Sequence, residues 1–177
     1  MKGVVLAGGL GTRLRPLTRI TNKHLLPVYD RPMVFYPIQM LVDAGIDDII
    51  VLTGGNFAGE FLNLIGNGED FGLSRINYAY QTGEGGIAEA LGLCRDFVGD
   101  DKMVVVLGDN ILQQNIHPNI EAFEKQDSGA RILLKEVAHP WAYGIAEIDG
   151  DRIKHIIEKP KEPQSNTAVI GVYMYPS

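Results

Sequence analysis

The 177-residue chain is 45% hydrophobic with a mean hydropathy of +0.01, enough apolar material for one core, which excludes a repeat array or a disordered chain. A balance of 16 Lys and Arg against 22 Asp and Glu leaves a formal charge of −6, which argues against a nucleic-acid surface because a phosphate backbone wants a basic face. No apolar run approaches the ~20 residues of a membrane span, and the N-terminus enters an apolar segment at once without a signal-peptide layout, so no membrane partner and a cytoplasmic location are expected.

Residues 3–7 read as a short buried strand. The strand runs into Gly8-Gly9-Leu10-Gly11-Thr12-Arg13-Leu14-Arg15-Pro16, followed by Asn22-Lys23-His24-Leu25-Leu26-Pro27. Glycines just past a strand let backbone N–H groups approach an anion with no Cβ in the way. With Arg13, Arg15 and Lys23 supplying charge, the segment reads as a polyphosphate-holding loop; the alternative is a plain turn with solvated cations. It is not a P-loop, because no Lys followed by Ser or Thr stands at the required spacing, and it is not a dinucleotide fingerprint, because Leu14 occupies the place of the third Gly or Ala. Pro16 argues against a helix starting at the glycines, so an extended loop over the top of the sheet is expected.

Residues 32–44 then carry Val34, Ile38, Leu41 and Val42 on one helical face and stop at Gly45. A strand at 49–53, a helix at 57–65 closed by Gly66, a strand at 76–80 and a helix at 86–97 follow. That last helix places Cys94 on one face with Ile87, Ala90, Leu91, Phe97 and Val98; as the single cysteine it has no internal disulfide partner and reads as a buried, inert thiol. Residues 103–107 form the most hydrophobic run, whose lack of alternation predicts a central strand buried on both faces, ending in Gly108-Asp109-Asn110. A helix at 118–125 precedes strands at 131–137, 144–148, 153–157 and 169–175, separated by turns such as Asp149-Gly150. The fold class is therefore α/β: a Rossmann-like mixed sheet flanked by helices, with an antiparallel addition at its end. Residues 1–177 form one domain, and the apolar strand just before the chain stops predicts a missing C-terminal portion and a surface suited to a homo-oligomer.

Ligands of parallel sheets sit outside the carboxyl ends of the strands. Arg13 and Lys23 follow the first strand, Gln81 the third, and Asp109 the buried run. Thr53-Gly54-Gly55-Asn56 lies at such an end too and reads as a tight strand-to-helix turn. A carboxylate at a buried strand end facing a phosphate loop fits Mg²⁺, which takes one or two carboxylates plus phosphate oxygens. Asp109 is thus the metal-ligand candidate, with a simple turn aspartate as the other reading. Tyr143-Gly144 and Glu158-Lys159-Pro160 could face one pocket from the accessory sheet, although Trp141 and Tyr143 also suit ordinary packing. His24, His117, His139 and His155 have no metal spacing, and no nucleophile motif is present.

Gly8-Gly9-Leu10-Gly11-Thr12-Arg13 with Pro16 and Thr18, Lys23-His24-Leu25-Leu26-Pro27-Val28, Gly108-Asp109-Asn110 and Glu158-Lys159-Pro160 together resemble the sugar-1-phosphate nucleotidyltransferases. Within that family the chain is most similar to the glucose-1-phosphate thymidylyltransferases, and Gly85-Gly86-Ile87-Ala88-Glu89-Ala90-Leu91 looks like their shorter type. The resemblance implies dTTP and glucose 1-phosphate as substrates, dTDP-glucose and pyrophosphate as products, and Mg²⁺ as cofactor. It implies that Leu6, Gly8, Gly9, Gly11 and Thr12 line the nucleotide, that Arg13 and Lys23 hold its phosphates, and that Gln81 and Gly86 contact the base. Asp109 would bind Mg²⁺, and Tyr143, Gly144, Glu158, Lys159 and Val169 or Ile170 would hold the sugar phosphate, with Lys159 also neutralising charge. Two departures stand out: Gly85 where longer members carry Asp, and no Asp after Asp151, whereas the family places a second metal-binding Asp farther on. Uridylyl or another nucleotidyl transfer, and a nucleotide- or sugar-binding fragment without turnover, are the alternatives.

Overall fold

The computed structural model describes residues 1–83 and 85–176; Glu84 and Ser177, where the sequence stops, lie outside them. In chain order the elements are β1 (Lys2–Ala7), a small hairpin of β2 (Pro27–Val28) and β3 (Arg31–Pro32), α1 (Phe35–Asp43), β4 (Ile49–Gly54), α2 (Ala58–Ile65), β5 (Asn77–Gln81), α3 (Gly86–Leu93), α4 (Arg95–Val98) and β6 (Met103–Leu107). After these come α5 (His117–Glu124), β7 (Arg131–Glu136), β8 (Gly144–Asp149), β9 (Arg152–Glu158) and β10 (Thr167–Tyr175).

One mixed sheet runs in the order β5-β4-β1-β6-β10-β8-β9, with β7 paired to β10. β5, β4, β1 and β6 are parallel, and β10, β8 and β9 are antiparallel to their neighbours. The chain winds outward from β1 through β4 to β5 and then returns to the other side of β1 as β6. The switch point of the sheet therefore lies between β1 and β6, the place where open α/β sheets hold their ligands.

Alternation along the strands explains why both faces are covered. Val5, Ala7, Ile49 and Val51 meet α1, α2 and α5 through Ile38, Leu41, Phe61 and Phe123. Val4, Leu6, Ile50 and Leu52 meet Ala90, Cys94 and Val98 on the opposite side. β6 is buried on both faces at Val104, Val105 and Val106, as its unbroken hydrophobic run requires. α1 ends in a left-handed Gly45 (φ 85°), with the Gly45 N–H donating to the Val42 carbonyl at 2.9 Å and the Ile46 N–H to that of Leu41 at 3.0 Å. Among the described residues no helix is long and apolar enough to cross a membrane.

Three expectations change. The segment after the glycines is not extended: it folds into single 3₁₀ turns at Thr12–Leu14, Leu17–Arg19 and Lys23–Leu25. The first helix starts at Phe35 rather than 32, because the Met33 and Val34 N–H groups donate to the Leu26 and His24 carbonyls and so serve the preceding loop. The helix expected over 86–97 breaks at Cys94 (φ −93°, ψ 1°), whose N–H donates to Leu91 and tightens the last turn while its thiol stays fully buried. Ile87 leaves the buried face and stands 39% exposed.

β10 carries a bulge between Val169 and Tyr173, so that its first half pairs with β7 and β8 and its second with β6 and β7. Gly171 makes the bend at φ 72°, where a Cβ would stand 2.6 Å from Leu107 Cδ1. Gly171→Ala should therefore lose about 3 kcal/mol of stability from left-handed strain plus overpacking. Urea denaturation measures this, and an unchanged midpoint would contradict the bend's dependence on glycine.

Candidate functional site

An open cleft of about 360 Å³ lies over the carboxyl ends of β1, β4, β5 and β6, lined among others by Leu6, Gly8, Gly9, Arg13, Lys23, Gln81, Gly86, Ile87 and Asp109. A larger groove of about 860 Å³ is bordered by α5, β7 and the β8–β9 hairpin, away from these strand ends. The smaller cleft is the one at the carboxyl ends of the parallel strands, where Gly8, Gly9, Arg13, Lys23 and Asp109 line it together.

Lys23 and Asp109 meet on its wall, Nζ to Oδ2 at 2.5 Å. Lys23 belongs to the loop after β1 and Asp109 to the turn after β6, so the contact spans the switch point. Burial pushes the Asp109 carboxyl upward, but the Lys23 hydrogen bond and charge outweigh it and hold the group below the ordinary carboxylate range. Asp109 is thus an ionised acceptor at neutral pH. Asp109 sits in a turn closed by the Asn110 N–H donating to the Leu107 carbonyl at 3.0 Å, and residues 110–116 form no helix.

The glycines act partly on the lysine. Gly11 has φ 62°, and a Cβ on it would stand 2.8 Å from Lys23 Cβ and 3.0 Å from Thr18 Cγ2. A Cβ on Gly9 would touch Lys23 Cε at 3.6 Å. Thr18 Oγ1 donates to the Gly11 carbonyl at 2.8 Å, and Asn22 Nδ2 to that of Gly9 at 3.3 Å, so the loop is tied to the residues beside the lysine. Gly11, Thr12 and Arg15 do not line the cleft, and Thr12 and Arg15 are exposed.

Sequence reasoning missed Asn22 and His24, each 2% exposed. Asn22 Oδ1 accepts from the His24 backbone N–H at 3.0 Å and lies 2.7 Å from His24 Nδ1. The imidazole edge fills the space beside Gly108, where a Cβ would stand 2.9 Å from both His24 Cδ2 and the Leu6 carbonyl. Burial, followed by the Lys23 charge, lowers His24 to about 4, so it is neutral at physiological pH. The one sequence signal was a polar residue on each side of a lysine just before Leu25-Leu26.

The second group of expected residues gathers on the accessory strands. Gly144 pairs with Glu158 across β8 and β9, and a Cβ on Gly144 would lie 3.0 Å from Glu158 Oε2 and 4.0 Å from Val169 Cγ2. The Lys159 N–H donates to the Tyr143 carbonyl at 2.9 Å, and Lys159 Nζ pairs with Glu158 at 3.0 Å. Asn110, also missed from the sequence, joins the two groups: its Nδ2 donates to the carbonyls of Ile170 at 2.7 Å and Gly171 at 2.9 Å. Among the described residues no three His, Cys, Asp or Glu side chains cluster to hold a metal ion, so Asp109 is the lone carboxylate on the cleft wall.

The family model for nucleotidyl transferases matches residues 2–177. The chain belongs to the nucleotidyl transferase family. It is 45% identical over 176 residues to a low-salt glycan biosynthesis nucleotidyltransferase of Haloferax volcanii, covering 99% of this chain and 49% of that protein. It is 44% identical over 177 residues to a glucose-1-phosphate thymidylyltransferase of Neisseria meningitidis, covering 99% and 61%. A crystal structure described as a putative glucose-1-phosphate thymidylyltransferase from Bacillus anthracis in complex with a sucrose superposes with a TM-score of 0.95 at 48% identity, covering 99% of this chain and 71% of that one. The chain thus spans about half to three-fifths of the length of these curated relatives.

His24 generates a pH prediction. Its unfolded form takes up a proton near 6.5 and its folded form near 4, so between those values the unfolded state binds more protons and stability falls as pH falls. In metal-free buffer His24 should account for about 2 kcal/mol lost between pH 7 and pH 5. Urea unfolding of wild type and His24→Gln at both pH values should show the variant losing that much less; a difference between them that is independent of pH would contradict the assignment.

Proposed function

We propose that the protein transfers a thymidylyl group from dTTP to glucose 1-phosphate, forming dTDP-glucose and pyrophosphate. The observation that carries this reading is the Lys23–Asp109 pair set in a glycine-walled cleft at the switch point of the sheet. A cation for phosphate and an ionised carboxylate for a divalent metal stand side by side there.

In this reading the triphosphate lies along Gly8 and Gly9 with Arg13 and Lys23 on its phosphates, and the base lies against Gln81 and Gly86. Tyr143, Gly144, Glu158, Lys159 and Val169 receive the sugar phosphate. A phosphate oxygen of the sugar, already ionised at neutral pH, attacks the α-phosphorus in line. The bond from the α-phosphorus to the bridging oxygen breaks, and pyrophosphate departs carrying that electron pair. No general base is needed, so the chain's own task is to align two anions and neutralise charge on the leaving group. One carboxylate held ionised fits Mg²⁺, which keeps water and phosphate oxygens as its other ligands; Asp109 would hold it, and it supplies further charge neutralisation on the phosphates. Uridylyl transfer is the second reading, because thymine and uracil present the same imide edge to Gln81.

Purified protein given glucose 1-phosphate, Mg²⁺ and each nucleoside triphosphate should release pyrophosphate fastest with dTTP. Fastest release with UTP would establish the second reading, and no release from folded protein would leave a binding module. Arg13→Ala should lower kcat by roughly 100-fold while changing dTTP affinity only a few-fold, as expected of a group acting mainly in the transition state. An unchanged kcat would remove Arg13 from the reaction.

A further inference from the structure

Gln81 stands at the end of β5, 6% exposed, on the wall of the cleft. Its Nε2 lies 3.1 Å from Glu89 Oε1 and 3.3 Å from the Gly86 carbonyl oxygen. Both neighbours are acceptors only, whereas a side-chain amide has one donor end and one acceptor end. The NH₂ group is therefore committed to α3, and Oε1 is turned the other way, to 3.4 Å from where a Cβ of cleft-lining Gly8 would stand. A glutamine without such partners can present either end, so the Glu89 carboxylate, together with the Gly86 carbonyl, makes this one an acceptor toward the cleft.

Gly85 makes room for that carboxylate. Its backbone is unstrained (φ −73°, ψ 4°), yet a Cβ there would fall 1.6 Å from Glu89 Oε2 and 2.2 Å from Glu89 Cδ. A side chain at 85 cannot coexist with the Glu89 carboxylate in the position from which it accepts the Gln81 amide. The missing side chain at 85 and the acid at 89 form one device.

We propose that Glu89 is a positioning residue for base specificity: by fixing the Gln81 amide it makes the cleft accept bases that present an N–H at their pairing edge and reject those that present a lone pair there. Thymine and uracil offer the N3–H, while cytosine has an unprotonated N3 that would meet the Gln81 oxygen as acceptor against acceptor. The inference rests on the proposed nucleotide site. It deepens that reading by naming what sets the base class and why residue 85 is glycine.

The test is calorimetric titration of dTTP, dUTP and dCTP into wild type, Glu89→Ala, Gly85→Ala, the double variant and Glu89→Gln. Glu89 is exposed and Gly85 has an ordinary backbone, so these variants keep the fold. Wild type should prefer dTTP and dUTP over dCTP by about tenfold or more, the value of leaving one buried acceptor unsatisfied. Glu89→Ala and Gly85→Ala should each reduce that ratio several-fold and to the same level, with no further loss in the double variant. Glu89→Gln, whose amide oxygen still accepts, should keep most of it. Single variants that retain the wild-type ratio, or effects that multiply in the double variant, would overturn the role of Glu89. Wild type that binds no triphosphate would instead overturn the nucleotide site. The proton and nitrogen shifts of the Gln81 side-chain amide then still decide the matter: both alanine variants must move them alike, and unmoved shifts refute the positioning.

Discussion

The Lys23–Asp109 ion pair is the contact on which the site depends. It joins the loop after β1 to the turn after β6, two neighbouring strands between which the chain has made four other strands and four helices. Several otherwise separate features serve to put one ammonium group at that point. Gly9 and Gly11 leave room for the lysine stem, Asn22 and His24 are buried on either side of it, and Gly108 admits the imidazole edge. Two buried polar side chains flanking a charged one are costly unless satisfied. Here they are satisfied by each other and by the loop's own backbone.

A cation and an anion held together are also a fitting resting state for a cleft that is to receive a polyanion with its divalent metal. In the proposed function each ligand replaces one partner, phosphate for Asp109 at the lysine and metal for the lysine at Asp109. The site is thereby kept close to charge balance before and after binding, and neither group is left buried alone. Asn110 carries the arrangement toward the accessory strands, since its amide holds both carbonyls of the β10 bend one residue beyond Asp109. The turn after β6 and the Ile170–Gly171 bend are thereby tied by two hydrogen bonds.

The parts of this plan that depend on local chemistry were legible in the sequence. The unbroken run of β6, the glycine stop at Gly45, the Asp149-Gly150 turn and the cationic glycine loop are each written in adjacent residues, and the structure agrees with them. The pairing of Gly144 with Glu158 followed from reading two strands as one hairpin. What could not be read are contacts whose partners lie far along the chain. Asn110 finds its acceptors 60 and 61 positions away, and the lysine finds its carboxylate 86 away. Ile87 was assigned to the core because helical periodicity marks a face without saying whether a cleft opens beneath it. The 3₁₀ turns close on bonds from the Leu14, Arg19 and Leu25 N–H groups to the Gly11, Pro16 and Asn22 carbonyls, so Pro16, read as keeping the segment extended, instead accepts one of them.

The chain belongs to the nucleotidyl transferase family, and in the proposed function Lys23 is the grip on the phosphates. Its most direct test is the rate at which an amine-acylating reagent modifies Lys23, followed by peptide mass spectrometry while ligand is added. dTTP with Mg²⁺ should slow modification of Lys23 and leave Lys102 unaffected, and thymidine, which has the base and sugar but no phosphates, should protect neither. Equal protection of Lys23 by thymidine and dTTP, or none by either, would contradict the assignment.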